Sequence, residues 1–309
     1  MSQTEDLTES ERPDGAEETP SIPPMPNRAK DVLLQLLRTR RVIIGLVLIA
    51  LLAALAFLGP VISQWGIGER DFTARLEGIS PDHWFGTNHT GQDIFTQSTA
   101  GLQKSLLIGL LVALGSTVIA ALVGSFAGYF GGITDRVLMW VADLALVLPS
   151  FVILAILSTH FVGQGGWLIL VILLAAFSWM VTSKMVRGLT ISLREREYIH
   201  AARFMGVPPH KIILRHILPN MSSLLIADAT IMVSTAIIGE TALSYFGLGV
   251  QPPDVSLGVV IANGAPYATT APWVFLFPTV LLVVLVLAVN MIGDGLRDAL
   301  DPHSKSRRS

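Results

Sequence analysis

The sequence predicts an all-α polytopic membrane protein with six transmembrane helices and both termini in the cytoplasm. Three observations carry that expectation. Hydrophobic residues make up 51% of the 309-residue chain and charged residues only 14%, against about 25% charge in a typical soluble domain. Six apolar runs come close to or exceed the roughly 20 residues that a helix needs to cross the hydrocarbon core. Lys and Arg are segregated into alternate connections between those runs. The net charge of −2 therefore says little by itself, and no global basic patch points to nucleic acid. The absence of cysteine excludes disulfides, thiolate metal sites and cysteine nucleophiles.

The runs occupy residues 42–63, 105–130, 137–160, 166–183, 224–246 and 273–293. Asp143 interrupts the third, and Asp228 and Glu240 fall in the fifth. Backbone polar groups in lipid must pair within their own segment, so all six are read as helices. The first starts too late in the chain, and is too long, for a cleaved signal peptide.

The connections on one side of the membrane hold 18 of the 21 Lys and Arg residues, including Lys184, Arg187, Arg194, Arg196, Arg203, Lys211 and Arg215 between the fourth and fifth runs. The other side holds Arg70, Arg75 and Lys104. Positive residues stay in the cytoplasm, which places both termini and the 4–5 connection there. Residues 1–28 form an acidic, proline-containing tail that cannot bury enough apolar surface to order itself. Residues 29–303 form the membrane domain, opening with an amphipathic segment at 29–41, and residues 304–309 are a basic tail. The loops at 64–104 and 247–272 are long for a compact protein and are expected to meet an external partner.

The cytoplasmic connection at 190–220 is the most informative stretch. It reads as two short helices split at Gly206. Glu197 sits where a carboxylate favours the positive end of a helix. Ala201 and Ala202 form a small, close-approach surface. Gly206 suits a left-handed helix terminus, and Pro208 and Pro209 suit the opening turn of the next helix. Pro219 and Asn220 mark the join to the fifth span. Such a rigid pair is either a docking knob or a plain connector.

The segment resembles the EAA loop of bacterial ABC import permeases, with the pattern Glu-Ala-Ala, three residues, Gly, nine residues, a hydrophobic position and then Leu-Pro. Ala201, Ala202, Gly206, Leu218 and Pro219 match, whereas His200 replaces the glutamate and His216 the hydrophobic position. Glu197 lies one turn before His200. Three further stretches, 84–97, 240–253 and 290–302, resemble the C-type subunit of the oligopeptide/dipeptide permease family. That subfamily usually has Gly-Thr-Asp and Gly-Arg-Asp in the first of these, where this chain has Asn88 and Gln92.

The resemblance implies a type I ABC importer transmembrane domain in a bacterial inner membrane. It implies a second, B-type permease subunit, two ABC ATPase subunits and an external substrate-binding protein, beside the membrane lipid. ATP and Mg would be bound by the partner subunits, with no cofactor on this chain. The residues of ATPase coupling would be Glu197, His200, Ala201, Ala202, Gly206, Leu218 and Pro219. Peptides are the implied cargo; permeases of this type also serve nickel, glutathione or haem, and a self-sufficient secondary transporter is the competing class.

Charges inside spans are costly and mark structure or gating, which singles out Glu240 and Asp143, while Asp228 lies near enough to the cytoplasmic end to reach water. Gly124, Gly128 and Gly132 recur every four residues and are read as a helix interface, within the chain or with a partner. No HExxH, GxxxxGK[ST], GxSxG or SxxK motif occurs, so metal, nucleotide and acyl-enzyme chemistry have no sequence signal. A topology reporter fused at Pro253 is expected to read as external; cytoplasmic exposure there would reverse the orientation.

Overall fold

The computed structural model describes residues 39–158 and 165–300. The expectations for the acidic tail, the amphipathic segment as far as Arg38, the end of the third run at His160 and the basic tail lie outside the described residues. In chain order the helices are α1 (Arg40–Ile62), α2 (Ile94–Phe130), α3 (Gly132–Val147), α4 (Ser150–Ser158), α5 (Gly166–Ala176), α6 (Met180–Arg194), α7 (Glu197–Phe204), α8 (Pro209–Ile212), α9 (Leu218–Tyr245), α10 (Leu257–Gly264) and α11 (Pro272–Leu300). Among the described residues the one β pairing outside helices is an isolated bridge between Thr87 and Asp93.

Four helices are long and apolar enough to cross a membrane: α1, α2, α11 and the 37-residue run from Pro209 to Tyr245 that fuses α8 with α9. Two bent pairs, α3–α4 at 78° and α5–α6 at 45°, bring the total to six when each pair is one span. The third and fourth runs are thus broken helices rather than straight ones. The first break has a proline cause. Leu148 is extended (φ −67°, ψ 135°) because the ring of Pro149 excludes the helical region from the residue before it. The second break has no proline. The Ser178 hydroxyl donates to the Leu174 carbonyl at 2.7 Å, and the Phe177 N–H tightens onto the same carbonyl at 3.2 Å, which closes the helix one turn early.

Helix α2 begins at Ile94 rather than at 105. Asp93 caps it, accepting from the Thr96 N–H at 2.8 Å. The added turns carry Thr96, Gln97, Ser98 and Thr99, all buried within the protein, so no apolar run marks them. The hydrophobic core lies along α2, which packs against α1, α6 and α9.

The approach of α2 to α6 is set by glycine. A Cβ on Gly124 would sit 2.7 Å from the Val186 Cβ, and one on Gly128 would sit 2.7 Å from the Thr190 Cβ. Gly132 departs from the expected stripe. Helix α2 ends at Phe130, and Gly131 (φ 63°) with Gly132 (φ 57°) turns the chain into α3, a conformation that costs other residues about 1–2 kcal/mol. The α3–α6 contact is ionic. Arg187 donates from Nε and Nη2 to the two carboxylate oxygens of Asp135, each at 2.5 Å, and Lys184 pairs with Asp143. Asp143 therefore has its partner inside this chain, on a side chain that is still largely exposed.

Gly128→Leu is expected to destabilise the purified protein by about 1–3 kcal/mol through overpacking, read as a lower melting temperature in detergent. Gly188→Ala, where nothing lies within 4 Å of the new methyl group, should leave it unchanged.

Candidate functional site

The segment between α6 and α9 is held by a small core of its own. Ile199 and Ala202 of α7, Ile212 of α8, and Ile213, Ile217 and Met221 beyond it close on Tyr129 of α2 and Val186 of α6. Ile199, Ile212, Ile213 and Ile217 are fully buried. The α2 terminus beneath them is pinned by Arg194, whose Nη1 donates to the carbonyls of Gly128 (3.2 Å) and Tyr129 (3.3 Å). A cation there satisfies orphan carbonyls and opposes the negative end of the helix. Arg203 lies over the Tyr129 ring at 5.4 Å.

The inward face being committed, the outward face is left bare at its tip. Phe204 is 90% exposed and Met205 76% exposed. Gly206 follows at φ 76°, and the Val207 N–H returns to the Ala202 carbonyl at 3.1 Å, so the helix closes on a left-handed glycine. Pro208 precedes α8 in extended conformation and Pro209 occupies its first turn. The second short helix does not end, however. Residues 213–217 form one wide turn in which the Leu218 N–H reaches back to the Ile213 carbonyl, and the helix continues into α9. This wide turn takes in Pro219, which lacks the N–H that a regular helix would use there. Asn220 Nδ2 donates to the His216 carbonyl at 2.6 Å. Pro219 therefore lies within a continuous helix and does not separate two.

The residues expected to form one patch divide between two faces. Ala202 is buried against Tyr129 and Leu218 packs beside it, so these two hold the segment down. Glu197, Ala201 and Gly206 are exposed. His200 is half-buried, with Nε2 3.7 Å from Glu195 Oε2. Ala201 and Ala202 accordingly do not share a close-approach surface: one helical step turns the second inward. Sequence reasoning missed Phe204 and Met205, whose only signal is two large apolar residues directly before a helix-ending glycine.

Asp228 accepts from the Thr182 hydroxyl at 2.8 Å, joining α9 to α6. Glu240 lies towards the other end of α9, fully buried, where its Oε1 accepts from Ser244 Oγ at 2.5 Å and Ser256 Oγ at 2.6 Å.

The long loop before α2 is tightly ordered at the α10 end. His83 is buried, stacks on Trp65 with ring centroids 4.6 Å apart and meets Asp93 Oδ1 at 3.1 Å. Hydrogen bonds from the Thr73 hydroxyl and N–H hold the Asp71 carboxyl below the usual carboxylate range. Asn88 Nδ2 donates to Gln92 Oε1 at 3.0 Å, so the two positions that lack their usual charges are partners of one another. Across the same end, Lys104 pairs with Asp254 at 2.8 Å and lies 4.4 Å above the Trp167 ring. Among the described residues no cluster of three or more His, Asp or Glu side chains is placed to hold a metal ion.

Residues 120–306 match the family described as "Binding-protein-dependent transport system inner membrane component". The chain belongs to that family. It is a multi-pass inner-membrane transport protein. Residues 27–78 also match the "N-terminal TM domain of oligopeptide transport permease C". The chain is 50% identical over 277 residues to the oligopeptide transport system permease protein OppC of Mycobacterium tuberculosis, covering 90% of this chain and 95% of that one. It is 36% identical to the dipeptide transport system permease protein DppC of Alkalihalophilus pseudofirmus, covering 90% of each chain. It is 33% identical to the Bacillus subtilis OppC, covering 88% of this chain and 89% of that one. The fold resembles a chain of the inward-facing MetNI methionine ABC transporter, with a TM-score of 0.51 at 21% identity over 66% of this chain and 97% of the other.

Two substitutions separate seating from docking. Ile199→Ala removes a fully buried side chain from the small core and should cost about 2–5 kcal/mol. Phe204→Ala changes an exposed side chain and should stay within about 0.5 kcal/mol of the parent. Thermal unfolding of the two variants checks the difference.

Proposed function

We propose that this chain is one of the two transmembrane subunits of an ABC importer for di- and oligopeptides, paired with a different, B-type permease. Two separate ATPase subunits bind ATP and Mg and grip the segment 197–219. An external binding protein delivers the cargo to the face carrying α10 and the loop before α2. The printed names of the relatives, oligopeptide and dipeptide permeases, favour peptides over nickel, glutathione or haem.

The observation that carries the reading is the exposed Phe204–Met205 tip on a helix whose opposite face is locked into its own core. A large apolar pair held out on a stiff mount is a surface built to be covered, since a free tip would gain by folding those side chains inward. Within that reading Phe204, Met205 and Ala201 are the contact, Glu197 and His200 flank it, and Ala202, Gly206, Leu218 and Pro219 set its shape and mounting. The charge distribution favours a cytoplasmic tip, on the side where a nucleotide-driven motor would be. A self-sufficient secondary transporter would have no use for such a tip.

The energetic demand is definite. Driving a two-state transporter from 1:99 to 99:1 takes about 5.5 kcal/mol of differential binding, so the segment must be held firmly at both faces. Asp143–Lys184 and Asp135–Arg187 tie α3 to α6, the helix from which the segment leaves, and serve as its bracing.

Gly206→Asp tests this. Nothing lies within 4 Å of the added Cβ, and the positive φ costs about 1–2 kcal/mol. The variant should insert and assemble, yet lose most peptide uptake while the ATPases continue to hydrolyse ATP. Uptake at the parental rate, or uptake by the purified chain without ATPase subunits, would sink the proposal.

A further inference from the structure

Helix α10 is clamped from three sides by backbone approaches that leave no room for a side chain. A Cβ on Gly258 would lie 2.8 Å from the Thr241 Cα of α9, one on Gly101 of α2 would lie 2.9 Å from the Leu257 nitrogen, and one on Gly264 would lie 2.7 Å from the Val274 carbonyl of α11. Packing alone lets such a helix slide. Direction comes from hydrogen bonds at its first turn. Ser256 caps α10, its hydroxyl accepting from the Val259 N–H at 3.2 Å while donating to Glu240 Oε1 at 2.6 Å. The Leu257 N–H donates to Ser105 Oγ of α2 at 3.1 Å.

Glu240 is thus the acceptor through which the cap of α10 is fastened to α9. Its carboxyl is 0% exposed, and Oε2 has no hydrogen-bond partner among the described residues, so the group is buried for the sake of the oxygen that takes both serines. The helix it belongs to is the one that starts at the other end of the molecule. From Pro209 to Tyr245 the chain runs as a single helix, and at about 1.5 Å per residue the stretch from Pro209 to Glu240 spans about 45 Å. A rod of that length links the segment 197–219 to the mount of α10.

We propose that Glu240 is a positioning residue that fastens α10 to this rod through Ser256, so that displacement of the docking segment is delivered to α10 at the far end. The proposal rests on the transport reading above and deepens it, because it assigns the joint through which that reading's motion reaches the side of substrate entry. The joint is the bond between helices, Glu240–Ser256. The bond within α9, Glu240–Ser244, satisfies the carboxylate but carries nothing across.

The test uses the assembled importer in lipid nanodiscs. The chain has no native cysteine, so on this chain labels attach only where cysteine is introduced, and the partner subunits are used with their cysteines replaced. One label pair, Val118→Cys with Asn263→Cys, reports α10 against α2. A second, Val118→Cys with Lys211→Cys, reports the docking end. Distances are measured by pulsed electron resonance with and without ATP, Mg²⁺ and vanadate. In the parent both distances should shift. Glu240→Ala and Ser256→Ala should lose the α10 shift and retain the docking-end shift. Glu240→Gln, whose amide oxygen still accepts from both serines, should restore it. Ser244→Ala should leave the α10 shift in place. If Glu240→Ala does not assemble, Ser256→Ala carries the test, because Glu240 there keeps its bond to Ser244.

An α10 shift of parental size in Ser256→Ala or Glu240→Ala overturns the proposal and leaves the transport reading standing. Equal loss in Ser244→Ala and Ser256→Ala also overturns it, since that pattern belongs to a buried carboxylate needing partners of any kind. A parent in which nucleotide moves neither distance defeats both the joint and the reading beneath it.

Discussion

The contact on which the rest depends is the seating of α7 and α8 on the joined ends of α2 and α6. Two glycines, Gly124 and Gly128, bring those helices close enough that Val186 and Thr190 rest on bare backbone. Val186 and Tyr129 then form a floor, and Ile199, Ala202, Ile212 and Ile213 close on it. Water is excluded on that side, so the segment has one orientation and its outward face is fixed by default. Larger residues at the two glycines would part the helices and leave that floor without its shape.

Polar groups repeat the same logic in places that apolar packing cannot specify. Arg194 seals the end of α2, Arg187 grips Asp135 in a two-pronged contact, and Thr182 reaches Asp228. A two-pronged pair between arginine and carboxylate fixes geometry as well as distance. Each joins α6 to a different helix, which makes α6 the mounting on which the bundle's loop end is assembled. At the far end Asp93, Ser105 and Glu240 perform the same service for the starts of α2 and α10. A membrane protein has little hydrophobic gain to separate one helix pairing from another, because lipid is as apolar as the helix it surrounds. Close packing and a few satisfied polar contacts must therefore choose the arrangement.

The long helix from Pro209 to Tyr245 gives these local contacts a common axis. Its wide turn at 213–217 takes in Pro219 without a break, so the α8 end of the docking segment and the buried Glu240 lie on one helix, with α7 packed against its start. A break at that proline would have let the loop end flex independently of the bundle. Continuity puts α8, on which the glycine-broken loop lands, and a buried acid on one helix.

The sequence by itself determined the six apolar runs and the glycine split at Gly206, because length and left-handed backbone are properties of a few residues in a row. The family resemblance was legible for the same reason, in ordered motifs such as 240–253. The tertiary structure alone decided that the third and fourth runs are bent, that α2 extends back to Ile94 and that Gly132 stands outside the glycine stripe. It alone separated Ala201 from Ala202, exposed Phe204 and Met205, and gave Asp143 and Glu240 their partners. These outcomes rest on which surfaces meet, on buried polar turns that no apolar run announces, and on hydrogen bonds between residues far apart in the chain. No local pattern encodes a contact whose second half lies on another helix.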